Sequence, residues 1–491
     1  MADGSRKAIK DVRVGDNVVT FDPLTMLPST TTVVHQYVRP TDKPMFQITT
    51  ESGRTIRATH DHLFMTSEGW APVDDIVPGK TLLGVLPSPT PVPHPSADDV
   101  GSVVLSEDAL AATLRGKGIT EKRSCGHVEQ LVAMGLLPLT SSSSALPVLA
   151  RICGFLITDG SHNVYDKRHG GMTPQCSFDF GLRCDADMFQ DDVASLGFSR
   201  VSVLEGTREV QGTKHHTFTV TYGSSFPSLL LGLGMMTGKR TTHARLPLPA
   251  WIMQGSPLVK REFVGGFQGG DGCVVRFDAG RSAACAETRQ SIQPEHAESL
   301  RALMGQVASL IREFGVEVSE PVERASPHAD RVRFGYKIRD LPANLILYYD
   351  AVGYRYDSRK IATSALVVEY LRYRKGVVDK LAERIYAARR LLDEAGSTTR
   401  SVATAMSMTL QQVQVIKRRR DANLDIGIIT VQLGERFAAW TTRTCVRGQM
   451  IFVPVATKVP VPTCIIADIS VASENHSFIG GDGLCVHNSA M

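Results

Sequence analysis

Apolar and polar residues change rhythm several times along the chain. Up to about residue 85, short β-branched runs alternate with turn residues: "RVGDNVVTFDP", "TTVVHQYVRP" and "MFQITTESGRTIRATHDHLFMT". Such runs bounded by Gly, Asp and Pro predict the strands of a compact all-β module. "LPSPTPVPHPSADD" follows, extended and exposed by its proline content. Residues 101–145 read as a short, partly helical spacer ending in "TSSSSA". From 146 to about 350, long helical patterns mix with paired strands. "SALVVEYLRYRKGVVDKLAERIYAARRLLDEAG" keeps helical periodicity until Gly396. From 426 onward β-like runs return in "MIFVPVATKVPVP" and "TCIIADISVASENHSFIGG". The ends match in character and the middle differs, which is the pattern of an insertion into a β domain.

Composition narrows the classes. A chain of 491 residues suggests two to four domains, and 43% apolar with 21% charged residues is ordinary for a globular protein. No run of about eighteen apolar residues appears, so no membrane partner is expected. "MADGSRKAIKDV" lacks the apolar core of a signal peptide, so the expected location is cytoplasmic, or wherever a host protein acts. Nine Cys without a CxxC pair disfavour both a zinc site and a disulfide framework. Net charge is only +4, yet residues 355–420 carry 15 Lys and Arg against 6 Asp and Glu. Such a segment can face a polyanion, with a solvated helix face as the competing reading.

The chain closes with "SENHSFIGGDGLCVHNSAM". An Asn side-chain amide can attack its own carbonyl carbon and cut the chain behind it. A neighbouring imidazole assists by proton transfer, and a following hydroxyl can accept an acyl group. Alone, His487-Asn488-Ser489 is too short to distinguish from a polar tail. Two further stretches change this: "VRVGDNVVTFDPLT", and "GRTIRATHDHLFMT" with Thr59 and His62 in a Thr-x-x-His arrangement. With "CIIADISVASENHSFIGGDGLCVHNS" they resemble, in order, the splicing blocks of inteins, the Hint (horseshoe-like all-β) family, over roughly 1–90 and 426–491. The resemblance implies that His62 protonates the upstream scissile amide while Thr59 orients it. It implies that Asp468 is the block-F acid and that His476 supports Asn cyclisation. His487 is then the penultimate histidine, Asn488 the cyclising residue and Ser489 the first residue of the downstream extein.

One departure concerns the start. Inteins of the commonest class begin with Cys or Ser, and here residue 1 is Met, with "ADGSRKAIKDVRVGD" resembling the second half of the first block. About ten residues, including the nucleophile, are expected to lie outside this chain. The start is an internal Met, a separate N-terminal piece is supplied in a split arrangement, or the chain is a variant using another route. The last ranks lowest, because one such variant uses Cys where Asp468 stands here. As written, the chain is not expected to splice alone, although Asn488 cleavage remains open to it.

Within the middle, "LARICGFLITDGSHNV" and "FVGGFQGGDGCVVRF" share small residues on a helix followed by Asp-Gly, with Gly154 and Gly160 matching Gly266 and Gly272, 112 positions on. Small residues let two helices approach closely, bringing Asp159 and Asp271 together. Two such carboxylates repel unless cations share the site, and a pair of Mg2+ ions is the natural solution. A glycine-capped helix end is the plain alternative for either copy taken singly. The pair resembles the LAGLIDADG (DOD-type) homing endonucleases over roughly 146–362. That implies an α+β fold with pseudo-two-fold αββαββα repeats, Mg2+ held by Asp159 and Asp271, and strands such as "CSFDFGLRC", "HHTFTVTYG" and "DRVRFGYKI" on double-stranded DNA. The family's block near "HARLPLPAWI" carries a Lys where Ala244 stands, leaving His243, Arg245 or Lys239 as substitutes. "AVGYRYDSRK" keeps its basic residue, Lys360, with a plain surface lysine as the alternative.

In "STTRSVATAMSMTLQQVQVIKRRR", Ala403, the turn at Ser407, Val413 and Ile416 fit helix-turn-helix spacing, with Arg400, Lys417, Arg418 and Arg419 as DNA contacts. An amphipathic pair packed on the endonuclease is the rival reading. The expected organisation is a multidomain chain. It comprises an all-β splicing part over 1–90, a linker or DNA-recognition spacer over 91–145 and an endonuclease over 146–380. A helical extension over 381–425 and a second splicing part over 426–491 complete it. Expected partners are duplex DNA of an intein-less host allele, flanking exteins and a possible N-terminal intein piece, with the chain itself a monomer. Rival functions are a self-processing module with a decayed endonuclease, which Ala244 favours, and a DNA-binding regulator with neither chemistry.

Overall fold

A computed structural model of the chain describes residues 1, 5–86, 92, 101–167, 171–210, 213–274, 286–394, 396–422, 435–463 and 465–488. It divides into two compact units, one of Met1–Lys7 with Pro87–Ala365, the other of Ala8–Leu86 with Leu366–Met491. Among the described residues no helix is long and apolar enough to cross a membrane.

The unit built from both chain ends is strand-rich. Asn17–Phe21, Pro28–Pro40 and Ile465–Val471 form one antiparallel sheet in that order. A nine-stranded sheet interleaves Leu63–Thr66, Leu82–Val85, Met45–Thr50 and Thr55–Thr59 with Ser477–Gly480, Leu484–His487 and Met450–Val461. Strands from the first 85 residues therefore hydrogen-bond directly to strands beyond 444. Alternating apolar positions explain the layering, because Phe21, Met65, Met450, Phe452 and Cys485 project into one shared core. Not all of the last segment is strand: Phe437–Thr441 is a short helix that buries Trp440.

The long helix Ser358–Asp393 continues unbroken through the expected boundary at 380, and no proline interrupts it. Within the strand-rich unit its Glu369 is fully buried against Arg54, whose Nε lies 2.9 and 3.0 Å from the two carboxylate oxygens. Burial pushes the Glu369 carboxyl up, but the Arg54 charge and hydrogen bonds outweigh it and leave it below its ordinary range.

The other unit contains two 15-residue helices, Ala145–Asp159 and Pro257–Asp271, packed on each other. After the first come strands Gly160–Lys167 and Gly171–Phe180, helix Arg183–Ser195, strands Val203–Val210 and Thr213–Gly223, and helix Ser225–Gly232. After the second come strand Glu287–Ile292, helix Ala297–Arg312, strands Val322–Arg324 and Val332–Lys337, and helix Pro342–Ala351. Among the described residues the second series repeats the order of the first apart from one strand.

Residues 101–145 differ from the expected spacer. Helices Glu107–Gly116 and Glu121–Ala133 pack on Ser225–Gly232, and Val103–Leu105 pairs with Leu139–Thr140. Leu110, Leu114 and Leu131 are fully buried, so this segment belongs to the unit's core and is not a connector.

Candidate functional site

Two sites emerge, one in each unit. In the first, glycine decides how closely the paired helices approach. A Cβ on Gly154 would overlap the carbonyl of Phe263, and one on Gly266 would overlap the carbonyl of Arg151. Phe263 precedes Gly266 by the same three positions as Arg151 precedes Gly154, so the contact is reciprocal about a local two-fold. Glu262, nearly inaccessible, anchors the same pair: Arg151 Nε lies 2.7 Å and Arg355 Nη2 2.8 Å from its carboxylate oxygens.

Both helices end in a carboxylate. A Cβ on Gly270 would lie 3.0 Å from Asp159 Oδ2, so the Asp159 carboxylate sits against the residue preceding Asp271. Burial, then the Asp271 charge, raises the Asp159 carboxyl to about 6. Burial also raises Asp271, although Arg240, Gln290, Lys360 and Arg245 pull the other way. Gln290 Nε2 donates to Asp271 Oδ2 at 2.6 Å, and Arg245 Nη2 donates to Gln290 Oε1 at 3.2 Å.

The cations are arranged symmetrically. Lys360 Nζ donates to the carbonyls of Gly269 and Gly270 at 2.5 and 2.7 Å. Arg240 Nη1 donates to the carbonyl of Ile157 at 3.1 Å. Ile157 and Gly269 each stand two residues before the terminal Asp, so Arg240 and Lys360 cap equivalent helix ends, where positive charge is favoured. Arg240 was not among the expected substitutes for the residue at Ala244. Of those, Lys239 and His243 are exposed, with His243 Nδ1 3.0 Å from the Lys239 carbonyl. Arg245, expected as a DNA contact as well as a substitute, is only 6% exposed and donates to Gln290. Arg240 and Gln290 carry no sequence signal of their own, because only tertiary contact brings them to the aspartates.

These groups suit a hard divalent cation. Among the described residues no cluster of three His, Cys, Asp or Glu could hold a metal by itself. Two close carboxylates nevertheless suit a divalent cation that prefers oxygen ligands and fills the rest of its shell with water and phosphate oxygens.

In the strand-rich unit, Ser477 opposes His487 across a hairpin, and beyond that pair the Asn488 N–H donates to the His476 carbonyl at 2.7 Å. Asn488 is buried at 8% exposure. His487 Nδ1 lies 2.7 Å from the Asn488 carbonyl oxygen. Its ring and that of Trp70 form a T-shaped pair with centroids 5.1 Å apart, and the His476 ring centroid lies 6.0 Å away. Asn475 Nδ2 donates to the Phe21 carbonyl at 2.5 Å, tying this hairpin to the first strand.

His62 joins the same cluster from the other end of the chain. Burial holds its imidazole below the ordinary range, while the charges of Asp468 and Asp61 pull it upward and His487 pushes it further down. Asp468 is buried, and its Oδ1 accepts from the Ile469 N–H at 2.8 Å. Against partial burial, Lys43, whose Nζ donates to Asp61 Oδ2 at 2.6 Å, and neighbouring Thr59 bring the Asp61 carboxyl down to about 2. His62 N–H donates to the Thr59 carbonyl at 3.1 Å. Trp70 is a further neighbour that sequence reasoning missed. Ser489 lies outside the described residues. Arg400, Lys417 and Arg418 are exposed on a separate pair of helices, and Arg419 is half-buried.

No family model matches the chain. It is 26% identical over 466 residues to the tRNA-splicing ligase RtcB of Methanopyrus kandleri, covering 92% of this chain and 44% of that protein. It is 23% identical to the DNA-directed RNA polymerase subunit Rpo1N of Methanocaldococcus jannaschii, covering 67% of this chain and 24% of that one. It is also 23% identical to the replication factor C small subunit of the same organism, covering 53% and 14%. The chain thus spans less than half the length of these curated relatives. Among solved structures, mesophilic variants of the homing endonuclease I-DmoI align at TM-score 0.28 and 10% identity, covering 43% of this chain and 97% of that one. The Ssp DnaB mini-intein variant M86 aligns at TM-score 0.17 and 26% identity, covering 18% and 54%.

Proposed function

We propose that this chain is an intein-like self-processing module that also carries a LAGLIDADG-type, site-specific double-strand DNA endonuclease. The observation that carries the reading is the gathering, in one β unit, of His62 from the first strands with His476, His487 and Asn488 from the last. The relatives support it. An RNA ligase, a polymerase subunit and a replication factor share no activity by name, yet each resembles this chain over less than half its own length. A segment common to all three is better read as an insert than as any of those activities. The same comparison weighs against reading the chain as an RNA ligase.

In the β unit, the Asn488 side-chain nitrogen attacks the Asn488 carbonyl carbon, forming a five-membered succinimide. The peptide bond to residue 489 breaks, and the leaving nitrogen takes up a proton. His487 Nδ1, already 2.7 Å from the carbonyl oxygen, donates to the negative charge that develops there. Burial of Asn488 excludes the water that would compete with cyclisation. His62 would protonate the upstream amide, Thr59 would hold it through the Asp61 turn, and Asp468 would orient His62. Ligation of both flanks requires an upstream Cys or Ser nucleophile, fused or supplied as a separate piece. Ser489 would accept the transferred acyl group.

In the other unit, Asp159 and Asp271 would hold Mg2+, each serving one strand of the duplex. When bound, that cation supplies positive charge to the scissile phosphate and acidifies a water molecule. Gln290 keeps Asp271 oriented, while Lys360 and Arg240 place positive charge beside the two carboxylates. Arg240 weighs against the decayed alternative, since it places a cation at the helix end near Ala244. Incubation of the uninterrupted host gene with the chain and Mg2+ tests the reading. Double-strand cleavage that Asp159→Asn abolishes supports it, and binding without cleavage by the wild type favours the decayed alternative.

A further inference from the structure

Neither site uses the stretch from Gly396 to Ala422. Helices Thr399–Ala405 and Leu410–Asp421 each begin with a reciprocal cap. Thr398 Oγ1 accepts from the Ser401 N–H at 3.1 Å while Ser401 Oγ accepts from the Thr398 N–H at 3.0 Å. Thr409 and Gln412 repeat the arrangement at 3.2 and 2.8 Å, so both helix starts are fixed. Between them Ser407 has φ of +50°, reversing the chain within a short turn. Arg384 of the long helix donates to the Met406 carbonyl at 2.8 Å and also to that of Ser407. Val402, Ala403, Val413 and Ile416 share a core with Ile385 and Ala388 of that helix. Three helices around one core, the last two joined by a tight turn, are the frame of a helix-turn-helix.

Gln411, Gln414 and Arg418 are spaced i, i+3 and i+7, which places them on one face, opposite the buried Val413 and Ile416. All three are exposed, as are Lys417 and Arg400. Between Glu394 and Asp421 the sequence holds five Lys and Arg and no carboxylate. A helix face with two carboxamides, a guanidinium and no acid matches the edges of base pairs. Carboxamides bond adenine bidentately, a guanidinium bonds guanine, and the flanking cations suit phosphates.

We infer that Leu410–Asp421 is a recognition helix that enters the major groove of duplex DNA. Gln411, Gln414 and Arg418 read bases there, and Arg400 and Lys417 hold phosphates. The inference deepens the DNA reading above, but it rests on residues outside the nuclease site and fails separately from it.

The test uses the full chain with Asp159→Asn and a pool of random-sequence duplexes, selected repeatedly for binding near 0.15 M salt. The same selection is run with Gln411→Ala, Gln414→Ala and Arg418→Ala combined, and with each change singly. The expected result is a block of base pairs in the selected motif that becomes random in the triple variant, each single change relaxing its own position. Lys417→Ala or Arg400→Ala should weaken binding to all sequences alike and reduce the salt slope by about one. An unchanged motif in the triple variant, or no motif from the parent chain, would overturn the inference and return this face to a solvated one. If the block is lost as expected but wild-type chain cuts none of the selected DNA, the nuclease reading fails and the recognition helix stands.

Discussion

His487 Nδ1 stands 2.7 Å from the main-chain carbonyl oxygen of Asn488, the carbonyl that the Asn488 side chain would attack. The same Asn488 is held from behind by its N–H bond to the His476 carbonyl. A donor fixed on the acceptor oxygen before reaction need not reorganise as charge develops, which is where electrostatic catalysis gains most. The Trp70 contact with the His487 ring restricts the orientation of that donor.

Asp159 gives a pH signature. Its folded carboxyl is raised to about 6, above the value of about 4 expected in an unfolded chain. The stability this group contributes is therefore full below about pH 4 and is lost as pH rises through about 6. Asp159→Asn should stabilise the metal-free fold at pH 7.5 by on the order of 2 kcal/mol, read as a higher melting temperature, while abolishing cleavage. Affinity of the metal-free chain for a divalent cation should weaken as pH drops through about 6, because a cation must displace the proton from Asp159. A destabilised Asp159→Asn variant would contradict the buried-carboxylate account.

Arg240 and Lys360 cap equivalent helix ends and should be equivalent in effect. Replacing either with Met should slow cleavage by on the order of tenfold to a hundredfold, less than losing a donor that touches the reacting atoms. Affinity for DNA should change little. Because both cations act on both aspartates, nicking of either strand should slow with either change, and an unchanged rate on both strands would contradict a role for these cations.

Gly154→Ala and Gly266→Ala should each cost about 3 kcal/mol, because the added carbon meets backbone that cannot swing aside. Gly116→Ala, where a Cβ meets open space, serves as the control. Denaturant melts of the three variants check the contrast.

Glu369→Ala should destabilise the β unit by about 3–5 kcal/mol, because the buried Arg54 guanidinium would lose its neutralising carboxylate. Replacing both residues with apolar ones of similar size should recover most of that loss. No recovery in the double variant would place the cost in packing and not in charge.

How much of this was legible depends on the range of the interaction. Strands such as Asn17–Phe21 and Met450–Val461 follow from alternation, and the close helix pair follows from Gly154 and Gly266 recurring 112 positions apart. These are local patterns that tertiary contacts reinforce. Arg240 and Gln290 could not be found that way, because what defines them is a carbonyl or carboxylate distant in sequence. The burial of Arg245 is hidden for the same reason, because only the fold sets its guanidinium beside Gln290. Residues 101–145 read as a spacer because their apolar face is short, and only the partner helix Ser225–Gly232 shows that it is covered.

The most direct measurement is intact-protein mass spectrometry on the chain extended past Met491 with a reporter domain. The account predicts slow release of the reporter and an N-terminal fragment ending at residue 488 with the mass of a succinimide, one water below the hydrolysed form. His487→Ala should slow release by on the order of 10²–10⁴-fold, and Asn488→Ala should stop it. Release at the same rate from the Asn488→Ala chain, or a fragment without the succinimide mass at any time point, would contradict the account.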